Sequence, residues 1–145
     1  MKFTYTIPVQ RESGEVWDKM QDAVAVVHCI PGVEEVESSE ENRYQVVIVT
    51  KLGPVKLRFK GNAELKSDED ARSMEATVSM SDARSGNVYG TFAMSLEPTD
   101  DGTTIHMVSD VAIAGKLGEF AQPLIKRKAD QIVKEFSNNL IAMIG

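Results

Sequence analysis

Apolar and polar residues alternate with a period of two over most of the chain, and a period of 3.6 takes over at its end. Phe3, Tyr5, Ile7 and Val9 alternate with polar neighbours and predict a half-buried strand. Ser13 is placed to cap a short helix carrying Val16, Trp17 and Met20, and Asp22 to cap a second segment, Ala23 to Ile30, ended by Pro31-Gly32. Val24, Val26 and Val27 are β-branched, so this second segment reads as a helix or as a buried strand. The middle of the chain is strand: Val33–Ser39, then Arg43–Lys51, then a segment opened by the Gly53-Pro54 turn. In that segment Val55, Leu57, Phe59, Gly61, Ala63 and Leu65 point one way, and Lys56, Arg58, Lys60, Asn62, Glu64 and Lys66 the other. Ser67–Asp70, Ser85-Gly86-Asn87 and Asp100-Asp101-Gly102 separate the last three strands. These place Met74, Ala76, Val78 and Met80, then Val88, Gly90, Phe92, Met94 and Leu96, then Ile105, Met107, Val111 and Ile113 on one face. Hairpin-length turns make the seven strands mostly antiparallel.

The final segment is helical. Ile125, Ala129, Ile132, Phe136, Leu140 and Met143 form one stripe, with Lys126, Arg127, Asp130, Lys134 and Asn138 opposite. Pro123 belongs in its first turn, and Leu117–Ala121 forms a separate short turn before it. From Pro123 to Ile144 the helix spans about 33 Å. The order strand, two short helices, six strands and one long amphipathic helix predicts an α+β fold: a curled antiparallel sheet wrapped around the terminal helix.

Charge narrows the partners. With 16 Lys and Arg against 22 Asp and Glu, the net charge is −6, which argues against nucleic acid and against strong attraction to an anionic membrane. Cys29 is the single cysteine, so no internal disulfide or cysteine-rich zinc site forms. The longest apolar runs, Ala23–Val27 and Leu140–Ile144, fall far short of the roughly 20 residues of a spanning helix. No targeting segment is visible, and a cytoplasmic location is expected, with at most peripheral membrane contact.

The inward face is soft and small. Gly61, Ala63, Ala76 and Gly90 stand where bulkier residues usually pack, and Met74, Met80, Met94 and Met107 are flexible. The first reading is structural: glycine curves the sheet and methionine fills gaps. The second is a cavity for an apolar ligand, with Phe59, Phe92 and Phe136 completing its lining. Ser109 has inward parity between Met107 and Val111, and its hydroxyl needs a partner from the backbone or from a ligand.

The segments Val16-Trp17-Asp18-Lys19-Met20, Cys29-Ile30-Pro31-Gly32, Leu52-Gly53-Pro54-Val55 with Arg58-Phe59-Lys60-Gly61, and Gly115-Lys116-Leu117-Gly118 through Phe136-Ser137-Asn138-Asn139-Leu140 together resemble the carbon monoxide dehydrogenase G-subunit family. That family belongs to the START-like, birch-pollen-allergen-like helix-grip superfamily. The resemblance implies a seven-stranded sheet gripping a C-terminal helix, helical structure over Ala23–Ile30, and an apolar cavity between sheet and helix. It also implies a non-catalytic carrier of a menaquinone- or lipid-like molecule, accessory to a molybdenum hydroxylase-type dehydrogenase.

Other constellations carry less. His28 and Cys29 are neighbours about 100° apart on a helix, so Cys29 reads as a packing residue. His106 reads as solvated on an outward strand face, and two histidines give no metal-ligand spacing. Lys56, Arg58 and Lys60 form an exposed basic stripe expected to pair with acidic neighbours such as Glu75. Glu34, Glu35, Glu37, Glu40 and Glu41 form a solvated acidic edge. A cyclase or hydrolase is the alternative function, and it would need Ser109 or the group Ser81-Asp82-Arg84 inside the cavity.

Overall fold

The computed structural model of the chain describes every residue except Ala121. Strands β1 (Lys2–Val9), β2 (Val33–Glu40), β3 (Arg43–Leu52), β4 (Val55–Asp68), β5 (Ser73–Asp82), β6 (Gly86–Thr99) and β7 (Gly102–Ala114) form one antiparallel sheet in the order β1-β7-β6-β5-β4-β3-β2. Helices α1 (Ser13–Met20) and α2 (Ala23–His28) connect the two edge strands, so the sheet must curl to bring its edges within reach. A 3-10 turn, Gly115–Glu119, leads towards α3, Gln122–Ile144, which lies across the hollow of the sheet. Ala121, the end of the predicted Leu117–Ala121 turn, lies outside the described residues.

The strand periodicity is realised residue by residue. In β4, Leu57, Phe59 and Ala63 are buried while Lys56, Arg58, Lys60, Asn62 and Glu64 are exposed. Val55 departs from the predicted inward set and is exposed, because it stands in the first pair after the Gly53-Pro54 turn, at the sheet's rim. The hairpin turns use positive φ at Asn42, Gly53 and Arg72.

Helix α2 is capped as predicted: Asp22 Oδ1 accepts from the Ala25 N–H at 3.2 Å. The N-cap of α1 is Glu12, without a side-chain cap bond, rather than Ser13. Ser13 is buried in the first turn instead, where its hydroxyl meets Thr103 Oγ1 at 3.4 Å. Cys29 packs as a small residue, its thiol 3.4 Å from the Ala25 carbonyl, and burial pushes its pKa up.

Two apolar clusters hold the fold. The first joins Ile7, Val16, Met20 and Ile105 to Phe136, Leu140 and Ile144 of α3, with Met74 and Met107 on the sheet side. The second joins Val46, Leu57, Phe59 and Met80 to Leu117, with Phe120 and Leu124 packed against it.

Candidate functional site

Register aligns the inward side chains in rows across the sheet. One row runs Tyr5, Met107, Met94, Met74. The next runs Phe3, Ser109, Phe92, Ala76, Leu65. A third runs Val111, Gly90, Val78, Ala63, Tyr44, and a fourth Ile113, Val88, Met80, Gly61, Val46. The methionine row packs with the first cluster, and the fourth row with the second. Between them lies a band whose members Phe3, Phe92, Ala76, Ala63 and Val111 join neither cluster.

Helix α3 divides in the same way. Leu124 packs on the second cluster and Val133 on the first, while Ile125, Ala129 and Ile132 between them stay partly exposed. The close approaches of α3 are to α1, β1 and β3. Strand β6, third from one edge of the sheet, keeps its inward side chains partly exposed: Met94 and Leu96 pack against the first cluster and Val88 against the second, while Gly90 and Phe92 between them join neither. This band, termed the groove, is a strip of small and apolar side chains between the two clusters that α3 joins.

The predicted lining residues separate into two groups. Ala63, Ala76, Gly90, Phe92 and Ser109 meet in this band. Phe59, Met74, Met80, Met107 and Phe136 belong to the packed clusters on either side, and Met94 packs against the first. Val111, Ile125 and Ile132 belong to the groove and were absent from the predicted lining. Their position on the predicted inward stripes was the available signal.

The two glycines differ. A Cβ on Gly61 would stand 2.0 Å from the Ser79 carbonyl oxygen, so this glycine lets the β5 backbone approach and leaves no room for a ligand. At Gly90 the nearest atom is Phe92 Cε2, 3.1 Å from the ideal Cβ, so the Phe92 ring lies over the space that the glycine leaves. The room expected at Gly61 is thus absent, and that at Gly90 is occupied by a side chain that can rotate.

The seam between α3 and β1 is tied. The Tyr5 hydroxyl donates to Asp130 Oδ1 at 2.7 Å, and the Lys126 ammonium pairs with the same carboxylate. That ammonium also lies 5.5 Å from the Phe3 ring centroid and 5.4 Å from that of Tyr5. Burial, and then the bond to Asp130, raise the Tyr5 pKa well above its usual value. The bonds from Lys126 and Tyr5 hold the Asp130 carboxyl below the usual carboxylate range.

The remaining candidates have structural work. Asp82 accepts from the backbone N–H groups of Arg58 at 2.7 Å, Arg84 at 2.8 Å and Ser85 at 3.1 Å, so it organises the β5–β6 turn. Its neighbours Ser81 and Arg84 are exposed. Arg58 pairs with Glu34 at 2.7 Å, not with Glu75, which stands opposite Lys66. His106 Nε2 lies 2.9 Å from Glu97. Two surface hollows of about 450 and 490 Å³ lie near the C-terminal end of α3, around Arg11 and Glu15 and around Pro8, Arg11 and Ile141, away from the groove. Among the described residues no helix is long and apolar enough to cross a membrane, and no group of His, Cys, Asp and Glu is placed to hold a metal.

The family model CoxG, which describes the G component of carbon monoxide dehydrogenase, matches residues 6–145. No curated protein matches in sequence. Among solved structures, a conserved protein from Geobacillus kaustophilus superposes with a TM-score of 0.89 at 19% identity, covering 99% of this chain and 95% of that one. A START superfamily protein from Mycobacterium smegmatis gives 0.67 at 11% identity, covering 99% and 96%. The Zhui aromatase/cyclase from Streptomyces sp. R1128 gives 0.60 at 14% identity, covering 99% and 89%. These likenesses establish the helix-grip fold.

Proposed function

This chain belongs to the CoxG family of carbon monoxide dehydrogenase components, and we propose that it is a non-catalytic carrier holding a lipophilic, quinone- or lipid-like molecule between the sheet and α3. The observation that carries this reading is the partly exposed inward face of β6 at Gly90 and Phe92, which joins neither packed cluster. Removing apolar surface from water is worth about 25 cal/mol per Å², so such a strip on an inner strand gains free energy when a ligand covers it. The small side chains of Ala63, Ala76 and Gly90 set the depth of the site, and Phe92 adjusts it by rotating off Gly90. The non-catalytic reading is supported by the positions of the polar side chains. Asp82 is committed to a turn, Cys29 is a protonated packing residue, and Ser109 has Phe3 and Phe92 as its partners across the sheet. A nucleophile with no base beside it has no means of activation.

The family name supports a carbon monoxide dehydrogenase as partner, and the proposed partner is an enzyme of the molybdenum type. In this role the protein is cytoplasmic, works beside that enzyme, and touches the membrane at most peripherally while handling its ligand. Native mass spectrometry of the purified protein, with solvent extraction and lipid analysis, tests the carrier role. A bound quinone or lipid is the expected result. Repeated recovery of empty protein that also refuses quinone and lipid analogues overturns it. Tagging the chain and recovering a molybdoenzyme with it tests the partnership separately.

A further inference from the structure

Ser109 is 4% exposed and sits in the middle of an otherwise apolar row, with Phe3 on one side and Phe92 on the other. Its inward parity aims it at the groove. Among the described residues its hydroxyl has no hydrogen-bond partner, yet it is not sealed off as the unpartnered Ser85 hydroxyl is. A buried hydroxyl left unpaired is destabilising, and a hydroxyl both donates and accepts. The groove beside it is apolar, and the adjacent Lys126, over the Phe3 ring, is already paired with Asp130.

We infer that the Ser109 hydroxyl anchors the polar end of the ligand, that this end is a neutral oxygen function such as a ketone or quinone carbonyl, and that it binds head-inward. The inference rests on the carrier reading above. The direction follows from packing. Beyond Ser109, the rows Tyr5–Met107–Met94–Met74 and Ile7–Ile105–Leu96 run into the closed first cluster, so the head stops at Ser109. The apolar remainder lies over Gly90, Val78 and Ala63, towards Leu117 and Leu124. An ionised carboxylate is disfavoured at this depth, because an unpaired buried charge is far costlier than a neutral carbonyl accepting one bond.

Calorimetry on the full chain with three probes of matched length tests this: a long-chain phenyl ketone with its carbonyl next to the ring, the corresponding phenylalkane, and the corresponding phenylalkanoate. The ketone is expected to bind about tenfold more tightly than the hydrocarbon, the range of one net hydrogen bond, and the carboxylate more weakly than the ketone. Ser109→Ala should erase the ketone's advantage by weakening ketone binding without weakening that of the hydrocarbon. The infrared carbonyl stretch of the bound ketone should lie at lower frequency in the wild type than in Ser109→Ala. Equal affinity for ketone and hydrocarbon, or an equal loss for every probe in Ser109→Ala, overturns the anchor while leaving the carrier intact. Tightest binding of the carboxylate overturns the neutral-head assignment. If the wild type binds none of the probes, the anchor falls together with the carrier reading.

Discussion

The two halves of α3 carry similar apolar stripes and meet different surroundings. In the C-terminal half, Phe136, Leu140 and Ile144 are buried against Ile7, Val16, Met20 and Ile105. Asn139 Nδ2 adds a bond of 2.9 Å to the Cys29 carbonyl at the end of α2. In the N-terminal half, Ile125, Ala129 and Ile132 continue the same stripe and stay partly exposed. The difference lies in what stands opposite. Helices α1 and α2 fill the hollow beneath the C-terminal half, while the N-terminal half spans a band of Ala, Gly and Ser. One end of the helix therefore packs into the core, and the other leaves its apolar stripe partly exposed.

The largest effect expected from this contrast is Phe136→Ala, which should cost about 3–5 kcal/mol, because a core aromatic is lost and its neighbours cannot fully close the hole. Ile132→Ala, one turn away on the same stripe, should cost less than about 1 kcal/mol in the ligand-free protein, since little buried contact is lost. Urea denaturation of both variants measures the pair. Equal losses would mean that the groove is packed core.

The glycines sharpen the same contrast on the sheet. Gly61→Ala drives a methyl group into the β5 backbone, 2.0 Å from a carbonyl oxygen, and should cost about 3 kcal/mol by overpacking. Gly90→Ala meets the edge of the Phe92 ring, which can move, and the Asp110 carbonyl oxygen at 3.3 Å, which needs only a small shift, and should cost about 1 kcal/mol. Thermal unfolding of the two variants separates sheet curvature from groove space. A larger loss at Gly90 than at Gly61 would reverse the assignment.

These pairs also show what the sequence could and could not reveal. Strand β4 is legible because its alternation from Leu57 to Leu65 is uninterrupted, and α3 because its stripe persists for about five turns. Along that stripe, however, Ile132 and Phe136 look alike, and periodicity does not say where a facing helix ends. Gly61 and Gly90 look alike too, since whether a missing Cβ faces another strand's backbone or a rotatable ring depends on how strongly the sheet coils locally. Ser13 carries the features of a cap, but its burial beside Thr103 is a contact across 90 positions of sequence that no local pattern contains. Ser109 was readable by parity, and only the register shows that it stands between Phe3 and Phe92.

The smallest predicted effect concerns the tie at the seam. Asp130 has a lowered pKa in the folded protein, so its contribution is present above the unfolded carboxylate value of about 3.9 and is lost as pH falls through the lower folded value. Tyr5 has a raised pKa, so its contribution is present below the unfolded tyrosine value of about 10 and is lost as pH rises beyond it. Between those limits Tyr5, Asp130 and Lys126 hold the N-terminal half of α3 to β1. The Asp130 carboxylate and Lys126 ammonium are solvent-exposed and Tyr5 is only half-buried, so Tyr5→Phe or Asp130→Asn should hardly change global stability. Either variant should instead speed amide hydrogen exchange from Ile125 to Ile132 at neutral pH, with residues 136–144 unaffected, because a local opening needs only the seam to part. Acidifying the wild type through the folded Asp130 pKa should have the same local effect. Faster exchange across the whole of α3 would show that the helix moves as one body and that its two halves are not independent.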